Sequence, residues 1–390
     1  MRLAIIVFLF SLFTVRSVLA VNCADLPSPV IITGSTAARP LLVEISRYLA
    51  AQQTPTTLVY RGQGSCAGVE AILNATPLFG AGAFSTWDSA GSEIKCDVPE
   101  SAPVVADVGI SDVFASTCFS LPGGLPSNVA DFLGPVQAMT FVTRRGSPER
   151  SISAEAAYNI FGFGKDSGVS PWDDETLLFK RDPLSGTQQM IAAAIGVPAS
   201  RWKGTTTTSS SDLQKKLLAA TPAEKTLGIL AADVAQDNRG LLNILAYQHT
   251  GQSCGYYPDR DETSNEKQNV RDGHYAIWGP LHLFTRIDTS GIPVKRAAAD
   301  VVGYLAGTKA TPPELDLIAV AAQRHVVPPC AMRGRRTQEM GPMSPFIPTG
   351  ACGCYFEKIA NGSTSCTPCK RSGDCPSTRP VCSYGYCEAN

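Results

Sequence analysis

Neither sign of charge dominates this chain. Its 33 Lys and Arg stand against 34 Asp and Glu, a formal net charge of -1 over 390 residues. There is no basic field for nucleic acid and no acidic shield. Histidine is scarce, at 4 residues. His249, His274, His282 and His325 lie in no recognisable catalytic motif and at no metal-ligand spacing. That argues against a metal centre. It also argues against a hydrolase using Ser65 or Ser185, because a serine nucleophile needs a base within hydrogen-bond reach. No cofactor is implied, and the chain reads as a non-enzyme. Long apolar runs are missing too: Leu3 to Leu12 is too short for a comfortable membrane span.

That apolar run has another meaning. Met1-Arg2 supplies a positive start and Val18-Leu19-Ala20 a cleavage site, so residues 1–20 read as a signal peptide. The mature chain is expected to be exported to the periplasm, secreted or held at the cell surface, with no transmembrane segment. In that setting 13 cysteines read as disulfides. The odd number leaves three readings open: one free thiol, one intermolecular bond, or a lipid anchor on Cys23. Asn22 stands where a lipoprotein site has a small residue.

A hydrophobic fraction of 44% supports two globular lobes. Val30–Thr33, Thr57–Tyr60, Val136–Thr143, Leu177–Lys180, Leu227–Leu230 and Ala276–Phe284 read as strands. Pro40–Ala51, Ser65–Leu73, Ala154–Phe161, Asp212–Ala220 and Lys295–Leu305 read as helices. This alternation predicts an α/β fold with mainly parallel sheets covered on both faces. Ser85–Ala102 reads as an irregular insertion and Thr205–Ser211 as a solvated connection. After Pro329 the periodicity fades. Cys330, Cys352, Cys354, Cys366, Cys369, Cys375, Cys382 and Cys387 then suggest a stapled module too short to hold a core. A zinc site on Cys366-x-x-Cys369 is the rival reading.

Four strand-to-helix loops carry chemistry. Gly34-Ser35-Thr36-Ala37-Ala38-Arg39-Pro40 offers hydroxyls to cap a helix or touch a ligand. Tyr60 to Gly68 contains three glycines that let backbone approach a ligand, with Gly64 and Ser65 at the helix start. Val108 to Asp112 ends a strand with an acid. A carboxylate only accepts hydrogen bonds, so Asp112 tolerates an oxyanion that carries a proton and rejects sulfate. Arg181-Asp182-Pro183-Leu184-Ser185-Gly186-Thr187 sets a guanidinium and two hydroxyls at a helix N-terminus, a suitable seat for a tetrahedral anion.

In this order the loops resemble those of the phosphate-binding proteins of bacterial phosphate ABC transporters, from about Val30 to Val327. Tyr60–Val69 is similar to that family's Tyr-x-Gly-x-Gly-Ser-x-x-Gly-Val, Gly109–Asp112 to Gly-Ala-Ser-Asp, and Arg181–Thr187 to Arg-x-Asp-Gly-Ser-Gly-Thr. Ile160-Phe161-Gly162, Trp172-Asp173-Asp174 and Asp272-Gly273-His274-Tyr275 echo it as well. The resemblance implies a two-lobed type II periplasmic-binding-protein fold with hinge strands. Residues 21–137 plus 273–330 would form lobe 1, 138–272 lobe 2, 331–351 a linker and 352–390 the cysteine-rich module. It implies capture of inorganic phosphate or a related oxyanion by hinge closure, for an ABC permease. Ser65 would donate its hydroxyl, Asp112 accept the phosphate proton, and Arg181 pair with the anion. Ser185, Gly186 and Thr187 would donate from hydroxyl and backbone, and Ala38 and Arg39 through their N–H groups, with Ser35 or Thr36 compensating for a hydroxyl that Ala38 lacks. Pro183 replaces the family's arginine-orienting Asp, a role Asp182 could take. Cys66 departs from the family's pattern, and the tail lies outside it. A secreted or cell-surface interaction protein, reusing the fold and contacting a partner through the tail, is the alternative.

Overall fold

The computed structural model describes residues 21–389; the signal-peptide reading of residues 1–20 lies outside them. A 12-stranded mixed sheet runs through both lobes. In lobe 1, the β-branched run Pro29–Gly34 pairs in parallel with Thr57–Gly62 and Val108–Ser111. Helices Arg39–Ala50 and Arg296–Ala306 cover one face, burying Leu41, Ile45, Val301 and Leu305. Helix Ser65–Leu73 covers the other, with Val69 and Ile72 against Phe84 and Phe284.

The two lobes share a strand. Val129–Arg144 pairs antiparallel with Trp278–Arg286 over its first part and with Leu227–Ala231 over its second. A further crossing is made where Val136 and Val327 exchange backbone hydrogen bonds. Lobe 2 continues through Leu178–Arg181 and Thr205–Thr207, packed around Phe141, Phe161, Trp202 and Leu213.

Three expectations need correction. Ser85–Ala102 is not irregular: Gly80–Trp87 and Glu93–Val98 are antiparallel strands extending the lobe 1 sheet. Thr205–Thr207 is a strand paired in parallel with Phe179–Arg181, because β-branched threonines suit a pleated surface. The strand expected to start at Val136 begins at Val129.

The cysteines resolve as six disulfides, and Cys254 carries the exposed odd thiol. Cys23 is bonded to Cys96, which leaves no sulfur for a lipid. Cys330–Cys352, Cys354–Cys366, Cys369–Cys382 and Cys375–Cys387 account for every tail candidate. With those sulfurs in disulfides, no thiolate is left there for zinc. The tail also packs on the body. Helix Gly353–Asn361 places Phe356, wholly buried, in the lobe 2 core. Beside it the buried Arg271 guanidinium reaches Glu357 at 2.9 Å and lies 5.5 Å from the Phe356 ring. Among the described residues no helix is long and apolar enough to cross a membrane.

Candidate functional site

The strand-to-helix loops of both lobes converge on one cleft, lined by Ser35, Thr36, Gly64 and Ser65 from lobe 1 and by Arg181, Ser185 and Thr187 from lobe 2, with Asp112 at its base. Gly64 has φ +94, and a Cβ on it would lie 2.8 Å from the Leu184 carbonyl of the opposite lobe. A Cβ on Gly186 would lie 2.2 Å from Ser65 Oγ and 2.4 Å from Asp112 Oδ2. Both positions need glycine because the lobes meet there. The Cys66 N–H crosses the gap to the Leu184 carbonyl at 3.2 Å.

Asp112, buried, is held by both lobe 1 loops. Ser35 Oγ donates to one oxygen at 2.6 Å and Ser65 Oγ to the other at 2.9 Å, while Ser65 Oγ accepts from the Asp112 N–H at 3.0 Å. Burial raises the Asp112 pKa; the two serine bonds and the positive potential from His282 and Arg181 oppose it. The Ser65 hydroxyl proton is thus directed at Asp112, and no imidazole bonds to Ser65. His282 pairs with Asp131 at 2.7 Å.

Arg181 is 8% exposed. Its Nη1 donates to Ser210 Oγ at 2.9 Å, and Nη2 lies 3.7 Å from Asp182. Its Nε is buried with no hydrogen-bond partner among the described residues. Burial lowers its pKa, opposed first by Asp182 and then by Asp112. Beside it, helix Gly186–Ile195 starts without a side-chain cap from Ser185, and helix Ser65–Leu73 starts after an uncapping glycine. The first N–H groups of a helix have no partner inside it, so both ends bring donors and partial positive charge to the cleft.

Not every residue named from the sequence meets here as expected. Ala38 has no exposure and packs in the lobe 1 core. Arg39 lines the cleft by its side chain, but its N–H closes the preceding turn on Thr36 O and its guanidinium is bonded to Glu93 at 2.6 Å beside Trp87. Thr36 is an exposed lining residue. Ser210, Asp233 and Gln137 were missed. Ser210 follows the threonine strand that register brings beside Arg181. Asp233 lines the cleft and accepts from Gln137 Nε2 at 2.8 Å. The unexpected Cys66 is bonded to Cys118, tying the Ser65 helix to the segment after Asp112.

No family model and no curated protein matches the sequence. Solved structures do match the fold. A candidate phosphate ABC transporter substrate-binding protein from Clostridium perfringens, solved with bound phosphate, gives a TM-score of 0.51 at 12% identity, covering 77% of this chain and 99% of that one. An ABC-type phosphate transport receptor from Vibrio cholerae gives 0.49 at 14% identity, covering 77% of this chain and 100% of that one. The chain has the two-lobed type II periplasmic-binding-protein fold, extended by a disulfide-rich tail.

Proposed function

We propose that this chain is an exported solute-binding protein that closes its two lobes on phosphate or a similar tetrahedral oxyanion. One observation carries the reading: the Arg181 guanidinium lines a cleft that two helix N-termini without side-chain caps also line. A guanidinium and the free N–H groups of two helix starts together suit an oxyanion. Each hydrogen bond to a charged group contributes about 1.5–3 kcal/mol net. A handful of these, less the cost of closure and desolvation, reaches micromolar affinity, about -8 kcal/mol. Arg181, Ser65, Ser185, Gly186 and Thr187 hold the oxyanion, with Ser35 orienting Asp112 and Thr36 at the rim. The Asp112–oxyanion pair needs one proton, which hydrogen phosphate brings and sulfate does not.

Catalysis has no part in this reading. Delivery to an ABC permease belongs to it, as does a partner for the tail. Isothermal titration of the full chain with phosphate and with sulfate is the test. Phosphate is expected to bind in the micromolar range, and Arg181→Ala to lose measurable binding. Equal phosphate affinity in wild type and Arg181→Ala would falsify the site.

A further inference from the structure

Arg181 is fixed at its backbone before its side chain reaches the cleft. Its N–H donates to Gln188 Oε1 at 3.1 Å, and Gln188 is wholly buried. Asp182, Asp112 and Asp212 all act on its charge, yet each has other hydrogen-bond partners. Asp112 accepts from Ser35 and Ser65. Asp212 accepts from the Thr208 N–H at 3.1 Å and from Lys216 at 3.2 Å. Asp182 accepts from the Leu184 N–H at 3.0 Å and stays 3.7 Å from Nη2, beyond hydrogen-bond reach. The one side-chain hydrogen bond that the guanidinium makes among the described residues is to a neutral group: Nη1 donates to Ser210 Oγ at 2.9 Å.

Strand register puts Ser210 there. Thr205–Thr207 pairs in parallel with Phe179–Arg181, with Thr207 opposite Arg181. Two hydroxyls of this stretch are committed elsewhere. Thr207 Oγ1 donates to the Lys180 carbonyl at 2.9 Å, and Ser209 Oγ caps helix Ser210–Ala219 by accepting from the Asp212 N–H at 3.0 Å. Ser210, the first residue of that helix, turns its hydroxyl to the arginine.

We propose that Ser210 is the positioning residue of the anion site: its hydroxyl, and not the Asp182 carboxylate, holds the Arg181 guanidinium in place for the ligand. This role presupposes the phosphate reading above and names the residue that sets its cation. A guanidinium presents its donors as a rigid planar fork, so its grip on an oxyanion depends on how that plane is held. A carboxylate in contact would hold the plane but also offset the charge. A hydroxyl holds it and leaves the charge for the anion. A side chain already ordered also does not have to be ordered by the ligand.

Isothermal titration of the full chain with inorganic phosphate tests this in wild type, Ser210→Ala, Ser210→Thr and Asp182→Asn. Ser210→Ala is expected to weaken binding roughly tenfold, the equivalent of one hydrogen bond to a charged group. Ser210→Thr keeps the hydroxyl and should bind within about twofold of wild type. Loss of helix packing alone would show no such rescue. Asp182→Asn keeps the oxygen that accepts from Leu184 and should change affinity by about twofold at most. Ser210 is half-buried at a helix start; should Ser210→Ala fail to fold, Ser210→Val, isosteric with the threonine variant, makes the same comparison. Ser210→Ala binding as tightly as wild type, Ser210→Thr binding as weakly as Ser210→Ala, or Asp182→Asn losing as much as Ser210→Ala each overturns the role of Ser210 and leaves the phosphate reading standing. Absence of phosphate binding in wild type overturns that reading, and the role of Ser210 with it.

Discussion

Both oxygens of Asp112 accept serine hydroxyls, from Ser35 at 2.6 Å and Ser65 at 2.9 Å, in a site that excludes most solvent. Because burial raises its pKa, the carboxyl gains its proton at a higher pH than an ordinary aspartate would. Once protonated it can donate, and an anion without a proton is no longer repelled. The ratio of phosphate to sulfate affinity should therefore fall as pH drops from 7 toward the ordinary carboxylate range. In Asp112→Asn, which donates at every pH, the ratio should be low throughout. Titrations with both anions across that interval check this, and a constant wild-type ratio would show that Asp112 does not select. Residues of this kind were legible in the sequence because each sits in a short contiguous pattern at a strand end. Ser210, Gln137 and Asp233 were not. Ser210 comes to Arg181 through strand register, and Gln137 is one of several polar residues along the long strand the lobes share, with no motif around it. In the first loop a tight turn takes the Arg39 N–H and turns the Ala38 methyl into the core, leaving Arg39 at the cleft through its side chain.

Helix Gly353–Asn361 shows how an element can leave the role its composition suggests. Cysteine spacing announces a self-contained stapled unit, yet the helix sends Phe356 into the core of lobe 2 and sets Glu357 against the buried Arg271. Truncating a fully buried aromatic costs its transfer free energy plus that of the cavity left behind. Phe356→Ala should lower stability by about 3–5 kcal/mol, read from chemical denaturation of the oxidised protein. A change confined to the tail, with the body unfolding as before, would mean that the module stands alone. The periodic elements were readable from sequence: helix Ser65–Leu73 lies where its pattern puts it. The strands Gly80–Trp87 and Glu93–Val98 were hidden for a physical reason. Their glycines and buried Ser85 and Thr86 break the apolar alternation, and part of their hold comes from the distant Cys23 through its bond to Cys96.

The segment between the body and the stapled end contacts both lobes. Arg336, 5% exposed, stacks over Trp278 at 4.3 Å and donates twice to the Ala276 carbonyl at 3.1 Å, where the chain passes between lobes. Three residues on, Glu339 accepts from the Phe114 N–H at 3.3 Å and Thr117 Oγ1 at 3.4 Å, just beyond Asp112 in lobe 1. The same chain is then tied back through Cys330–Cys352 and the Arg271–Glu357 pair. If the lobes close as proposed above, a strap fixed to both restrains the angle between them. Apparent affinity falls in proportion to the fraction of molecules in the binding-competent arrangement. Arg336→Ala removes the stacking and both donors without touching a cleft residue. It should enlarge the radius of gyration in small-angle scattering and speed amide exchange around Ala276 and Met139. Phosphate affinity should drop severalfold while Arg181 and Asp112 stay intact. Scattering identical to wild type would mean that the strap only decorates the hinge; expansion without loss of affinity would mean that closure does not limit binding.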